Sequence, residues 1–236
     1  MRLLVVSFGG DHPSTIASVQ SMSWDDFVRV LLTPLDAENK TAAGWYSCGE
    51  YSPEYRNSAN LKLRHALAFD FDTATLAQLQ EVRDSLKGYA YVAYTTASHT
   101  AEKPRIRIVL PTDRAMTPEE FCAVSRKVAS WSNIEYASRE SHVPAQMMYL
   151  PTLRDGGSFK GKIYQGDWLK VDEILASYKD WHNHDEWPHR DADSVHFSAD
   201  DVTPPNEKPG VIGAVCRAYS IEEAIEEFDL PYDRVR

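Results

Sequence analysis

Runs of apolar residues separated by polar turns divide this chain into short strands and helices. Leu3 to Phe8 is an apolar run broken only by Ser7 and closed by Gly9 and Gly10, which predicts a buried first strand ending in a Gly-Gly turn. His65 to Asp72 (HALAFDFD) predicts another buried strand. From Thr73 to Lys87, Leu76, Leu79, Val82 and Leu86 fall at helical spacing, and Gly88 supplies the stop. Tyr89 to Thr96 (YAYVAYTT) is aromatic and β-branched, hence strand. Pro104 to Leu110 (PRIRIVL) alternates strictly between two prolines, predicting a strand with Arg105 and Arg107 on one face. Thr117-Pro118-Glu119-Glu120 is a capping box with proline at the first helical position, opening a helix to about Trp131. Ala145 to Leu150 predicts a short strand and Val171 to Trp181 a helix. Beyond Trp181 the chain is polar, acidic and proline-containing, as in a linker, until Ser220 to Phe228 forms a last helix behind a Ser220/Glu223 capping box. The order strand, helix, strand, strand, helix, strand predicts an α/β or α+β layer fold.

Composition narrows this. The 236 residues suffice for one large or two small domains with a sizeable core. No apolar run approaches the roughly 20 residues of a membrane span, and the N-terminus lacks a signal-peptide cleavage pattern. Cys48, Cys122 and Cys216 lie far apart, which excludes a disulfide scaffold and a local zinc knuckle and fits a reducing cytosol. The net charge of −10 is misleading about partners. The 17 acidic and 7 basic residues between Gln165 and Arg236 carry the whole excess, so residues 1–164 are neutral overall. Ala97 to Tyr164 is mildly cationic, with 10 basic against 7 acidic residues. A phosphate-binding site is compatible with that distribution.

Chemistry concentrates in three places. Asp70 and Asp72 are two apart on a predicted strand, so both carboxylates leave the same face at the end of an apolar run. Paired carboxylates repel and favour a divalent cation, and magnesium takes carboxylate oxygens together with substrate phosphates. The plainer alternative is a strand end where Asp72 caps the next helix and Asp70 is solvated. Ser98 and His99 then precede Lys103, Arg105 and Arg107. Together they form a cationic shelf whose arginine forks fit phosphate oxygens, or else a solvated hairpin face. Glu135, after the capped helix, is a candidate third acid or an ordinary turn residue. Met147-Met148-Tyr149 reads as core. His182 and His184 read as solvated linker side chains, and Asn183 between them breaks the His-hydrophobic-His pattern of HUH nucleases.

Asp-x-Asp on a strand, Ala97-Ser98-His99 with trailing Arg105 and Arg107, and a later acid resemble the archaeo-eukaryotic primase (AEP) superfamily. The likeness is to the primase-polymerase domains at the N-termini of phage and prophage helicase-primases, the virulence-associated-E-like replication proteins. SHTAEKPRIRIVLP, the TPEEF helix start, QMMYLPT and KPGVIGAVCRAYSIEEAIEEF look like that group, from about Leu67 to Phe228. The resemblance implies an α+β fold, with an RNA-recognition-motif-like palm packed against an N-terminal α/β module. Residues 1–180 would be the catalytic domain, and 181–236 an acidic linker and short helix leading toward a helicase part.

It further implies template-directed DNA primase and polymerase activity, with nucleotidyl transfer from NTP or dNTP in phage or mobile-element replication inside a bacterial cytoplasm. Asp70, Asp72 and Glu135 would hold two Mg2+ or Mn2+ ions, with no zinc. Ser98, His99, Lys103, Arg105 and Arg107 would bind the nucleotide, His99 at its phosphates. Single-stranded or primed DNA would be the template and a helicase domain the covalent partner. Two residues depart from the group's pattern: the third acid is Glu rather than Asp, and Gln146 stands where many relatives have Arg.

Two other readings use the same residues. Asp70-Phe71-Asp72-Thr73 with Gly166, Asp167 and Asp172 mimics haloacid-dehalogenase-type phosphatases, although that reading gives His99, Arg105 and Arg107 no task. A non-catalytic DNA-binding or helicase-loading module would keep the fold without the chemistry. A Walker-type phosphate loop is absent from the sequence. The Lys208–Phe228 segment near the end is expected to lead into a longer replication protein.

Overall fold

The first apolar run forms β1 (Leu4–Gly9), which pairs antiparallel with β2 (Ser18–Met22) and with β4 (Trp45–Ser47). Gly9 is the last residue of the strand. The Trp45 indole occupies the space a side chain at Gly9 would fill, so glycine is required by packing and not by a turn. The structure is a computed structural model and describes residues 2–53, 55–131, 137–153, 158–188, 218–220 and 223. Met1–His189 forms one unit and Arg190–Arg236 a second. In the second, Ser220 and Glu223 make the expected reciprocal cap; the rest of the predicted last helix and Cys216 lie outside the described residues.

Between β2 and β4 lie α1 (Trp24–Leu32) and the short β3 (Leu35–Asp36). Ser23 caps α1 by accepting from the Asp26 N–H, and Trp24, Phe27, Val28 and Leu31 form its buried face. After β5 (Gly49–Tyr51) comes β6 (Leu61–Phe71), then α2 (Leu76–Ser85), β7 (Tyr91–Thr95), β8 (Ile106–Met116) and α3 (Pro118–Trp131). Short strands β9 (Met148–Tyr149), β10 (Thr152–Leu153) and β11 (Gly161–Tyr164) precede α4 (Val171–Ala176). The main sheet has the order β11-β7-β8-β6-β5, wholly antiparallel. Strand β8 is inserted between β6 and β7, which α2 connects: a split β-α-β unit. The second sheet runs β2-β1-β4-β9, and β10 pairs with β3. The fold is mixed α+β.

Period-two alternation along β6 places opposite residues in two cores. Leu67, Phe69 and Phe71 pack with α2, α3 and α4 through Val82, Phe121, Val124, Val128 and Val171. Ala66 and Ala68 face the other way, joining Val92, Tyr94 and Val109 against Leu4, Val6, Phe27, Leu31 and Tyr46. Asp70 continues this second row where the apolar cover ends. The sequence of the strand therefore decides both where the sheet is sealed and where it opens.

Several elements differ from the sequence reading. Strand β8 does not end at Leu110 but continues through Pro111 to Met116. The proline falls at a register shift between Arg64 and Ala66, where the Thr112 hydroxyl lies 3.0 Å from the His65 carbonyl. Leu76 is exposed, because Thr75 caps α2 and leaves Leu76 at the outer start of the first turn. The 145–150 strand shrinks to Met148–Tyr149, since the Gln146 N–H closes a turn on the Val143 carbonyl. The last helix of the first unit stops at Ala176, where the Ser177 hydroxyl and N–H both take the Ile174 carbonyl. Residues 181–188, read as the start of the linker, fold back instead. Trp181 and Trp187 pack on the helix-side core, and the Trp187 indole N–H donates to the Trp181 carbonyl.

His65 gives this unit an acid-sensitive point. Its side chain is buried, neither ring nitrogen has a hydrogen-bond partner, and Arg2 and Arg64 lie nearby. Burial first, then those two cations, pulls its pKa down to about 4. Glu50, 3.7 Å from Nε2 and nearly half exposed, is too distant and too wet to offset this. In the unfolded chain the imidazole titrates near 6.5, so between pH 6.5 and 4 the unfolded state binds the extra proton. Stability is complete above that window and falls as pH drops through it, by about 3 kcal/mol from this residue. Urea unfolding at stepped pH should show the slope, and His65→Phe should flatten it. Parallel slopes for the two proteins would exclude the assignment.

Candidate functional site

Where the apolar row of β6 ends, a cavity of about 280 Å3 opens between the main sheet and β9. Asp70, Arg107 and Tyr94 stand side by side on β6, β8 and β7, set by the pairings Asp70–Arg107 and Tyr94–Arg107. Asp72 and Arg105, each two residues farther along the same face, line the cavity as well. The strand alternation in the sequence thus brings both carboxylates and both arginines to one place.

The two ion pairs are unlike. Arg107 is 7% exposed; its Nη2 donates to Asp70 Oδ2 at 2.8 Å and its Nη1 to the Tyr149 carbonyl at 2.8 Å. Its guanidinium lies over the Tyr94 ring, and the Tyr94 and Tyr46 hydroxyls are 2.8 Å apart. Burial alone would lower the Arg107 pKa, but its surroundings, with the Asp70 carboxylate as the charged partner, carry it well above its ordinary value, so Arg107 stays cationic. Burial raises both tyrosines, so they are neutral hydrogen-bonding groups. Arg107 therefore ties β8 to β6 and to β9 of the other sheet. The Asp72–Arg105 pair is close, at 2.5 Å, but its side chains are 43% and 27% exposed. Asp72 does not cap α2, a task taken by Thr75.

Ser98 lines the cavity, whereas His99 and Lys103 stand in the β7–β8 hairpin outside its walls. His99 Nδ1 accepts the Arg105 N–H at 3.1 Å, which leaves Nε2 to carry the proton of the neutral ring. Partial burial, then Lys160, lowers the His99 pKa, so the neutral form prevails at pH 7. Lys103 exchanges hydrogen bonds with Thr100 at the hairpin tip.

Much of the opposite wall, the QMMYLPT segment apart, could not be read from sequence motifs. Beyond its pairing with β5, β6 has a free edge, and the turn at Ser138–His142 is fastened there. The Ser138 N–H and hydroxyl donate to the Asp70 carbonyl, and the Asp70 N–H donates to Ser141 Oγ. This brings Glu140 to the cavity. Lys40 reaches it from a polar loop, with its ammonium over the Tyr149 ring. Gly44 has φ +81° and accepts the Leu150 N–H, which anchors the segment after β9; a Cβ on Gly44 would collide with the Gly9 carbonyl. Gln146 also lines the site, while its carbonyl lies 3.3 Å from Arg64 Nη1. Glu135 lies outside the described residues.

Asp167 and Asp172, the late acids of the phosphatase reading, do not line this cavity; Asp172, on α4, is paired with Arg114 of β8. His182 and His184 are largely exposed, with His184 Nε2 3.3 Å from Glu119. Among the described residues, no three His, Cys, Asp or Glu side chains gather as a metal cluster. One observation nevertheless fits a cation beside the aspartates. Asp70 Oδ1 is buried without a hydrogen-bond partner, an arrangement costly for a carboxylate oxygen unless a ligand satisfies it. Magnesium usually takes only one or two protein carboxylates and completes its shell with water and phosphate, so this donor set suits it.

A family model described as the VapE N-terminal domain matches residues 38–190, which contain every residue of the cavity wall named above. No curated protein matches the chain significantly. Among solved structures, the AEP domain of the cyanophage S-2L primase-polymerase is similar, at 10% identity and a TM-score of 0.45. The alignment covers 74% of this chain and 88% of that one. No helix among the described residues is long and apolar enough to cross a membrane.

Proposed function

The chain belongs to the VapE N-terminal domain family, and on that premise we propose that it is a primase-polymerase, joining nucleotides to a 3′-hydroxyl under the direction of a DNA template. The observation that carries the reading is the meeting of Asp70 and Asp72 with cationic Arg105 and Lys40 around one cavity, with one aspartate oxygen left bare. In this reading the split β-α-β sheet is the palm and the β1–β4 sheet with α1 is the N-terminal module.

Asp70 and Asp72 would hold divalent magnesium or manganese, with Glu135 as the proposed third acid. When bound, the ions would lower the pKa of the attacking 3′-hydroxyl and neutralise the triphosphate and departing pyrophosphate. The protein's own contribution is positional and electrostatic. Arg107 and Ser141 fix Asp70 from its side chain and backbone, so its carboxylate is held in place before any substrate arrives. His99, with Nδ1 committed to Arg105, presents an Nε2–H to a phosphate oxygen while staying neutral. Ser98, Lys103 and Arg105 add hydrogen bonds and charge around the same phosphates. Tyr149 and the Met147–Pro151 segment form the wall opposite the aspartates. A helicase domain in a longer protein would supply the unwound template.

The test is extension of a primed DNA template and of an unprimed single strand, with all NTPs and dNTPs and either Mg2+ or Mn2+. Extended primers establish the polymerase, and products from the unprimed strand establish the primase. A second reading, a non-catalytic helicase-loading module, draws on the fact that both aspartates are held by arginines. DNA binding that needs no metal, with no incorporation in either metal, would decide for it.

A further inference from the structure

We infer that Arg105 is an exchangeable counter-ion, occupying Asp72 while the site is empty and moving to the nucleotide triphosphate when metal and nucleotide enter together. The inference rests on the nucleotidyl-transfer reading above and adds the order in which that site fills. It comes from the contrast between two neighbouring ion pairs on one strand. Arg107 is fixed by three kinds of contact, to Asp70, to the Tyr149 carbonyl and to the Tyr94 ring, and is nearly excluded from water. Displacing it would strand a largely buried carboxylate and a carbonyl.

Arg105 has a different mounting. Its main chain is pinned on both sides: the N–H is held by His99 Nδ1 and the carbonyl accepts the Thr96 N–H. Among the described residues its side chain makes one ion pair, to Asp72 Oδ1, and both partners stand in the cavity wall at the solvent side. A partly exposed pair of this kind contributes little net stability, so its exchange for another partner is inexpensive. A fixed backbone with a free side chain is what a partner exchange requires.

The two prospective partners are complementary. A divalent ion competes with a guanidinium for a carboxylate, and a triphosphate offers that guanidinium a bidentate replacement. A divalent ion arriving alone must displace Arg105 without offering it a new partner. An ion arriving with a triphosphate does both. Metal and nucleotide therefore bind with positive coupling, and each tightens the other by the same factor.

The experiment is a Mn2+ titration followed by electron paramagnetic resonance of the free ion. It uses the wild-type chain, Arg105→Gln and Arg105→Lys, with and without a non-hydrolysable α,β-methylene dATP. Arg105→Gln should bind Mn2+ about two- to fivefold more tightly than wild type in the absence of the analogue, the order set by losing a partly exposed ion pair. The analogue should tighten Mn2+ binding in both proteins, because its phosphates join the ion's shell, and by a clearly larger factor in wild type than in Arg105→Gln. Arg105→Lys, which keeps the charge, should retain most of the wild-type coupling. If Arg105→Gln binds Mn2+ no better than wild type, or keeps its full coupling to the analogue, the exchange is wrong while the nucleotidyl-transfer reading stands. If neither protein binds Mn2+ even with the analogue present, that reading falls too.

Discussion

Asp70→Asn should lower nucleotide incorporation by on the order of a thousandfold while leaving the protein folded, because it removes the charge that a metal-assisted transfer needs. The amide keeps an acceptor for Arg107 Nη2, and the hydrogen bond from the residue's backbone N–H to Ser141 Oγ is untouched. Asp70→Ala should be equally inactive but less informative by itself, since it leaves the Arg107 guanidinium buried without its anion. The pair of variants separates chemistry from folding. Incorporation is measured on a primed template in Mg2+ and Mn2+, with circular dichroism and thermal unfolding on the same samples. Full activity in folded Asp70→Asn would rule out Asp70 as a metal ligand and leave the cavity without its central carboxylate. An inactive Asp70→Asn that still binds template DNA is the expected result.

The sequence made one side of this site legible and not the other. Asp70, Asp72, Arg105 and Arg107 share a strand face by period-two spacing, and the structure brings all four to one cavity. The likeness to virulence-associated-E-like proteins, carried by motifs such as SHTAEKPRIRIVLP and QMMYLPT, agrees with the family match over residues 38–190. The capping box at Thr117 and Glu120 is formed as its residues predict. Lys40, Glu140 and Tyr94 gave no such signal, since each reaches the cavity through tertiary pairing. Lys40 comes from a loop thirty residues before Asp70, and Glu140 from a turn fastened to the free edge of β6 by Ser138 and Ser141. Tyr94 read simply as an apolar strand residue, and only the β7–β8 register sets it beside Arg107. Nor could spacing distinguish the two arginines. Same-face alternation made them equivalent phosphate binders, whereas depth in the sheet separates a buried tie from an exposed pair. Strand β8 outran its proline for a related reason, because a bulge and the Thr112 hydroxyl absorbed the defect that local rules treat as a stop.

That difference in depth makes Arg107 the residue whose loss should cost the fold most. Arg107→Met fills roughly the same space with an apolar chain, yet it leaves Asp70 Oδ2 and the Tyr149 carbonyl without their donor and removes the cation over Tyr94. Removing one partner of a buried ion pair costs about 3–5 kcal/mol, against at most about 1 kcal/mol for an exposed pair such as Asp72–Arg105. For a unit of this size that corresponds to a fall in Tm of roughly 10 °C. Combining Arg107→Met with Asp70→Asn should recover part of the loss, since a neutral amide no longer demands a cation. The remainder measures the tie to β9 through Tyr149. Arg107→Lys should fall between, retaining charge but unable to reach Asp70 and the carbonyl with one planar fork. Chemical denaturation of the four proteins gives the cycle. If Arg107→Met unfolds within about 1 kcal/mol of wild type, the arginine is no more than a surface-strength contact, and the two halves of the cleft are joined instead by contacts such as the Tyr46–Tyr94 and Arg64–Ser47 hydrogen bonds and by apolar packing.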